Sequence, residues 1–250
     1  MQATERSRRI IETILIAYAV IAWCSSSALA VTRYVSPGGS HTPPYTSWAT
    51  AATNIGDAIV AAVAGDDILV ADGTYRVSSA VAVNKGVTVT SVNGPGATLI
   101  DGRGLNVCLS ITHADAVVSG FTITNGSGTS SGGGVYINNG VLRDSVITRN
   151  TASSGGGVYL QNNGWVINCD IVANSGGSGG GAFLDGGGTI SNTVIRDNSV
   201  STHGGGAYLM SGGLIANSVL TGNTALNDGG AVNFNNGGLV LKCRIAGNTG

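Results

Sequence analysis

Asp144 and Asp170 are the two carboxylates whose spacing could do chemistry. Read on neighbouring turns of a repeating coil, they are offset by one coil and two residues. A coil spacing of about 4.8 Å combined with about 6.6 Å along the chain separates their Cα atoms by roughly 8 Å. An acid and a base flanking a glycosidic bond stand roughly 6.5–9.5 Å apart in inverting enzymes. The plainer reading is that Asp170 pairs with Arg196, which is also one coil on and two residues along. No aromatic residue adjoins the pair in sequence to stack on a sugar, so no catalytic residue is assigned. Asp144, Asn168, Asp170, Asn192 and Arg196 are kept as ligand-binding candidates on an outward polar ridge.

Other reactive residue types are scattered. His41, His113 and His203 have no Cys, His or carboxylate at metal-ligand spacing and read as surface histidines. Asp66-Asp67 is the one Asp-Asp pair and reads as a turn opening the first coil. Three cysteines follow residue 30, an odd number that excludes a fully paired disulfide framework. Cys169 and Cys243 fall in one column three coils, or about 14 Å, apart, too far for a disulfide, and read as small apolar fillers. Neither a metal nor a cofactor is expected.

The elements that must position these residues come from a repeat. Gly-Gly-Gly-Val-Tyr begins at 132 and 155, Gly-Gly-Gly-Ala-Phe at 179 and Gly-Gly-Gly-Ala-Tyr at 204. A fifth unit opens at Asp228-Gly229-Gly230-Ala231-Val232. Asn150, Asn174, Asn198, Asn223 and Asn248 recur at intervals of 24, 24, 25 and 25 residues. Ile147, Ile171, Ile195, Leu220 and Ile245 sit three residues before them, and Ile123 extends that column backwards. Such self-similarity marks a solenoid. Its apolar pieces are two to four residues long, β-branched or aromatic, and broken by Gly, Asn and Ser, which gives short strands and tight turns rather than helices. The fold class is therefore all-β: a right-handed parallel β-helix of 24–25 residues per coil, with three strands per coil. Triple glycines supply positive-φ turns, and the asparagines stack amide on amide. Period-two alternation from each Asn points positions minus three and minus five inward and minus six, minus four and minus two outward.

Upstream, Asn54 caps a helix whose apolar face is Ile55, Ile59, Ala62 and Val63, and Gly65 stops it. Such a helix covers the unpaired edge of a first coil. Residues 31–65 thus read as an N-terminal cap and 66–250 as the β-helix. Residues 1–30 read as a signal peptide: Arg6, Arg8 and Arg9, an apolar run from Ile14 to Trp23, then Ala28-Leu29-Ala30 before a cleavage site. The chain ends inside a repeat, so further coils and a terminal cap or anchor are expected beyond residue 250.

Tyr34-Val35-Ser36-Pro37-Gly38-Gly39, Trp48-Ala49-Thr50, Gly65-Asp66-Asp67-Ile68-Leu69-Val70 and Gly73-Thr74-Tyr75 resemble the head of pectin-lyase-like β-helix proteins. The repeats resemble those of polymorphic outer-membrane proteins, with Gly229-Gly230-Ala231-Val232 matching one hallmark and Ile147-Thr148-Arg149-Asn150 standing for the other with Ile in place of Phe. The resemblance covers most of residues 34–250. It implies a scaffold that carries polysaccharide lyases and glycoside hydrolases. The Asp clusters and the Asn-Thr-Asp and Gly-His-Gly motifs of those enzymes do not occur between Val31 and Gly250.

Of the 250 residues 41 are glycine and 10 % are charged, with a net charge of −1, which excludes a basic footprint for nucleic acid. A hydrophobic content of 42 % supports a real core. No transmembrane helix is expected after residue 30. The function expected is an exported, non-catalytic stalk or adhesin-like domain at the cell surface, secreted or associated with an outer membrane, whose partner is a polysaccharide or another surface molecule. The alternatives are the front part of a carbohydrate-active β-helix enzyme with its site beyond residue 250, and an autotransporter passenger.

Overall fold

A computed structural model describes residues 29–250; the segment expected to be a signal peptide, residues 1–30, falls almost entirely outside them. Short strands stack into four parallel sheets of nine, eight, seven and five strands, forming a solenoid of about eight turns. One turn runs Trp165–Ile167 in the nine-stranded sheet, Asp170–Val172 in the eight-stranded, Ser175–Ser178 in the five-stranded and Ala182–Asp185 in the seven-stranded. The repeat region thus has four strands per coil, not three. The additional strand is the Ser/Thr/Gly segment before each triple glycine, too polar to show an apolar period.

Each residue pairs with its counterpart one coil on. Ile123, Ile147, Ile171, Ile195, Leu220 and Ile245 stand in register, and the first five are fully buried. Ile245, on the last coil, is half exposed. Position minus five also faces inward: Ser145, Cys169, Thr193 and Ser218 are buried. Three of these are not fillers, because the hydroxyls of Ser145, Thr193 and Ser218 donate to carbonyls two residues back at 2.7–2.9 Å. Cys169 Sγ lies 3.3 Å from the equivalent carbonyl, of Ile167, so the thiol takes a hydroxyl's place.

The corners explain where alternation stops. Asp144, Asn168, Asn192, Asn217 and Lys242, at minus six, are left-handed with φ of 50–53°. They are corner residues between two sheets, not outward strand positions. Asn and Asp tolerate this region because their short polar side chains bond locally. In the triples that precede Val or Ala only the first glycine has positive φ. The other two allow close approach: a Cβ on Gly156 would fall on the Ser175 carbonyl oxygen, and one on Gly134 would lie 2.7 Å from Asn150 Nδ2.

The cap begins with Thr32–Val35, which pairs with Asp67–Val70 and so already extends the nine-stranded sheet. Helix α1 (Ile55–Ala61) follows, with Asn54 Oδ1 accepting the Asp57 N–H at 2.9 Å. Ile55, Ala58 and Ile59 are buried, whereas Val63 is half exposed. The helix stops at Ala61, four residues before Gly65, where Lys85 Nζ donates to the carbonyls of Ile59, Val60 and Ala62 at 2.8–3.0 Å. A lysine on those carbonyls satisfies the orphaned acceptors and the negative end of the helix. Asp66 opens no simple turn: it is buried and bonded to Arg33 Nε and Nη2 at 3.0 and 2.9 Å.

Candidate functional site

Three of the five ridge candidates come together in one corner column. Asp144 Oδ1 accepts from Asn168 Nδ2 at 2.7 Å, and Asn192 follows one coil on. Asp144 Oδ2 accepts from Ser119 Oγ and Arg143 Nη1, both at 3.0 Å. Asp170 and Arg196 lie elsewhere, on the outer face of the eight-stranded sheet and in different columns. Asp170 is in register with Val146 and Val194, and Arg196 with Val172 and Thr221. Arg196 bonds Asp197 at 2.8 Å instead of Asp170. Adjacent exposed pairs of this kind contribute at most about 1 kcal/mol. With both oxygens of Asp144 engaged, Asp144 and Asp170 do not present a free acid and base to one ligand.

The fifth residue of each triple-glycine unit forms a second column. Rings of Tyr136, Tyr159, Phe183 and Tyr208 stack with centroids 5.8, 5.2 and 4.9 Å apart and planes within 19°. Tyr136 donates to Gln161 Oε1 at 2.7 Å and Tyr159 to Asp185 Oδ2 at 2.6 Å. Burial, and then the Asp185 carboxylate, push the Tyr159 hydroxyl well above its ordinary value, so it remains a neutral donor. Because each ring covers the next, no open face is left inside the column for a sugar. Its sequence signal was the aromatic after each Gly-Gly-Gly-Val or Gly-Gly-Gly-Ala, overlooked beside the glycines.

An open ring does exist on the nine-stranded sheet. Trp165 is 44 % exposed on its outer face, between Val141 and Thr189. The half-buried side chains of Ile167, Leu214 and Ala216 continue that face, and the corner column of Asp144, Asn168 and Asn192 follows directly after its strands. Arg143, Thr189 and Ser191 stand in register on the same face, so apolar and polar groups are interleaved around the ring. The column nine residues before each ladder asparagine carries it, and sequence reading missed it by following only the half-coil nearest the asparagines.

Each histidine has an aspartate that spacing did not reveal: His41 Nε2–Asp57 Oδ2 at 3.3 Å, His113 Nδ1–Asp115 Oδ2 at 3.9 Å and His203 Nδ1–Asp228 Oδ2 at 3.4 Å. Among the described residues no three His, Cys, Asp or Glu side chains cluster to hold a metal ion. Nor is any described helix long and apolar enough to cross a membrane.

Among solved structures the chain is similar to pectate lyase Pel9A, with a TM-score of 0.53 over 90 % of this chain and 80 % of that one. It has the pectin-lyase-like fold. The β-helix shares 15 % of its residues with that enzyme, so the likeness is one of backbone path. A pectin methylesterase from Aspergillus niger also aligns, at 14 % identity and a TM-score of 0.43 over 88 % of this chain and 87 % of that chain. No family model and no curated protein matches the sequence.

Proposed function

We propose that the coiled body is an exported binding module, adhesin-like in use, that engages a polysaccharide or another cell-surface molecule without cutting glycan chains. The observation carrying this reading is the open indole of Trp165 on an outer sheet face that also carries Ile167 and Leu214, with the corner residues Asn168 and Asn192 directly after its strands. An exposed ring with a polar rim matches the apolar faces and hydroxyl edges of a sugar. The binding residues are Trp165, Asn168 and Asn192, while Asp144 holds the rim in place. Asp170 and Arg196 border the neighbouring sheet and extend the polar surface. The leader expected over residues 1–30 supports export.

Affinity electrophoresis against pectin, alginate and related polysaccharides tests the proposal. Retardation is expected for the protein and is lost in Trp165→Ala. Release of reducing ends or unsaturated products, abolished by Asp144→Asn or Asp170→Asn, would establish the enzyme reading instead.

A further inference from the structure

Thr53, His41 and Asp57 form a hydroxyl–imidazole–carboxylate chain at the cap, far along the sequence from the ridge. Thr53 Oγ1 is 3.0 Å from His41 Nδ1, and His41 Nε2 is 3.3 Å from Asp57 Oδ2. The backbone N–H of Thr53 also donates to Nδ1, at 3.1 Å. That bond fixes the tautomer. Nδ1 must be the unprotonated nitrogen, so the Thr53 hydroxyl donates to it and Nε2–H points at Asp57. Asn54 Nδ2 holds the same Asp57 oxygen at 2.6 Å. His41 is left-handed, with φ of 55°, and is anchored by its own N–H to the Ala51 carbonyl at 3.0 Å. A nucleophile within hydrogen-bond reach of a base that a third group orients is the arrangement of covalent acyl-transfer catalysis.

A cleft of about 570 Å³ lies against this chain, with Thr53 and Asp57 in its wall. Arg76 is the one cation among the residues that line it, with Ser78 and Ser79 beside it. Arg76 Nε pairs with Asp101 Oδ2 at 3.9 Å.

We propose that this cap site is an esterase centre for small acyl esters, with Thr53 as nucleophile, His41 as base and Asp57 as the group that orients it. Thr53 Oγ bonds to the acyl carbon as its proton passes to His41 Nδ1, which at that moment gives up the hydrogen bond from the Thr53 backbone N–H. The ester C–O bond then breaks, and His41 returns the proton to the departing alcohol. Water, deprotonated by His41, cleaves the acyl–Thr53 ester to give a carboxylic acid and regenerate the hydroxyl. The site is separate from the Trp165 face and does not depend on how that face is used.

The test uses p-nitrophenyl acetate and a fluorophosphonate probe on the whole chain, with adducts located by peptide mass mapping. Hydrolysis above the buffer rate and a phosphonyl adduct on Thr53 are expected. Thr53→Val and His41→Gln should each lower hydrolysis at least tenfold, with Thr53→Ser retaining it and keeping the adduct at residue 53. Thermal melts identify any variant that fails to fold, and the wild-type adduct decides the matter without variants. No adduct at Thr53, or hydrolysis unchanged in a folded Thr53→Val protein, would overturn the proposal.

Discussion

The side-chain amide and the backbone N–H of Asn150 both donate to one atom, Oδ1 of Asn174, each at 3.0 Å. Asn174 does the same to Asn198, and its Nδ2 also reaches back to the Ile147 carbonyl at 2.9 Å. The side-chain amide of each buried asparagine is thereby satisfied by the coils on either side of it. Asn174→Ala removes the acceptor of two buried donors and the donor of one buried carbonyl. Leaving such groups unpaired costs about 1–3 kcal/mol each. A loss of about 3–5 kcal/mol is expected in urea unfolding, and a loss below 1 kcal/mol would mean that the ladder is decorative.

Arg33 and Asp66 join the cap to the first coil. Burial opposes ionisation of Asp66, but the N–H groups of Val63 and Val31, together with Arg33, outweigh it and hold the carboxyl below its ordinary value. A depressed carboxylate contributes full stability above the unfolded-state value of about 4 and loses it as pH falls through the lower folded value. Stability should therefore fall as pH drops below about 4, and Asp66→Asn should flatten that part of the profile. Because Asn leaves Arg33 without a counter-charge, the variant should also lose about 3–5 kcal/mol at neutral pH. Thermal melts across pH measure both effects.

Glycines in the coils answer two separable constraints, lack of room and left-handed backbone. Gly156 has ordinary φ but no room, since a Cβ would meet the Ser175 carbonyl. Gly186 has open space and φ of 70°. Gly156→Ala should cost about 3 kcal/mol through overpacking, and Gly186→Ala about 1 kcal/mol through left-handed strain. Equal losses on denaturant unfolding would refute the distinction.

Legibility in the sequence followed periodicity. The Ile147 column and the Asn150 ladder were readable because identical residue types recur at a fixed interval and each must face the same way. The Asp144–Asn168 corner was not, because alternation carries through a chain only while it stays extended, and a left-handed residue resets the parity. His203 and Asp228 were within reach, lying 25 residues apart in register. His41 and Asp57 were not: they meet across an aperiodic cap loop. The outer face around Trp165 holds different residues in each coil, so no repeat announced it.

Cysteine reactivity should separate the interior from its end. Desolvation pushes the thiols of Cys108 and Cys169 up to about 12. Both are buried, whereas Cys243 is partly exposed. Only the thiolate attacks electrophiles. Iodoacetamide at pH 8, followed by peptide mapping, should label Cys243 first and leave Cys108 and Cys169 unmodified until the protein unfolds. Early labelling of Cys169 would show that its coil opens.

The ridge aspartates should differ in what they hold. Asp144 receives three hydrogen bonds, from Ser119, Asn168 and Arg143, at a left-handed corner. Asp170 sits on an open strand face, where no hydrogen bond to its carboxylate is present among the described residues. Asp144→Ala therefore loses bonds to its neighbours and leaves a Cβ in left-handed backbone with no local bond to compensate, at a cost of about 1–3 kcal/mol. Asp144→Gly should recover part of that loss, because the same corner one coil earlier is Gly120 with φ of 85°. Asp144→Asn should cost less still, because Asn168 and Asn192 occupy that corner in the next two coils. Asp170→Ala should fall within about 0.5 kcal/mol of the parent. Equilibrium denaturation of the four variants gives the order. An Asp170 variant as destabilised as Asp144→Ala would mean that Asp170 carries a structural bond of its own, and the outer face of the eight-stranded sheet would have to be redrawn around it.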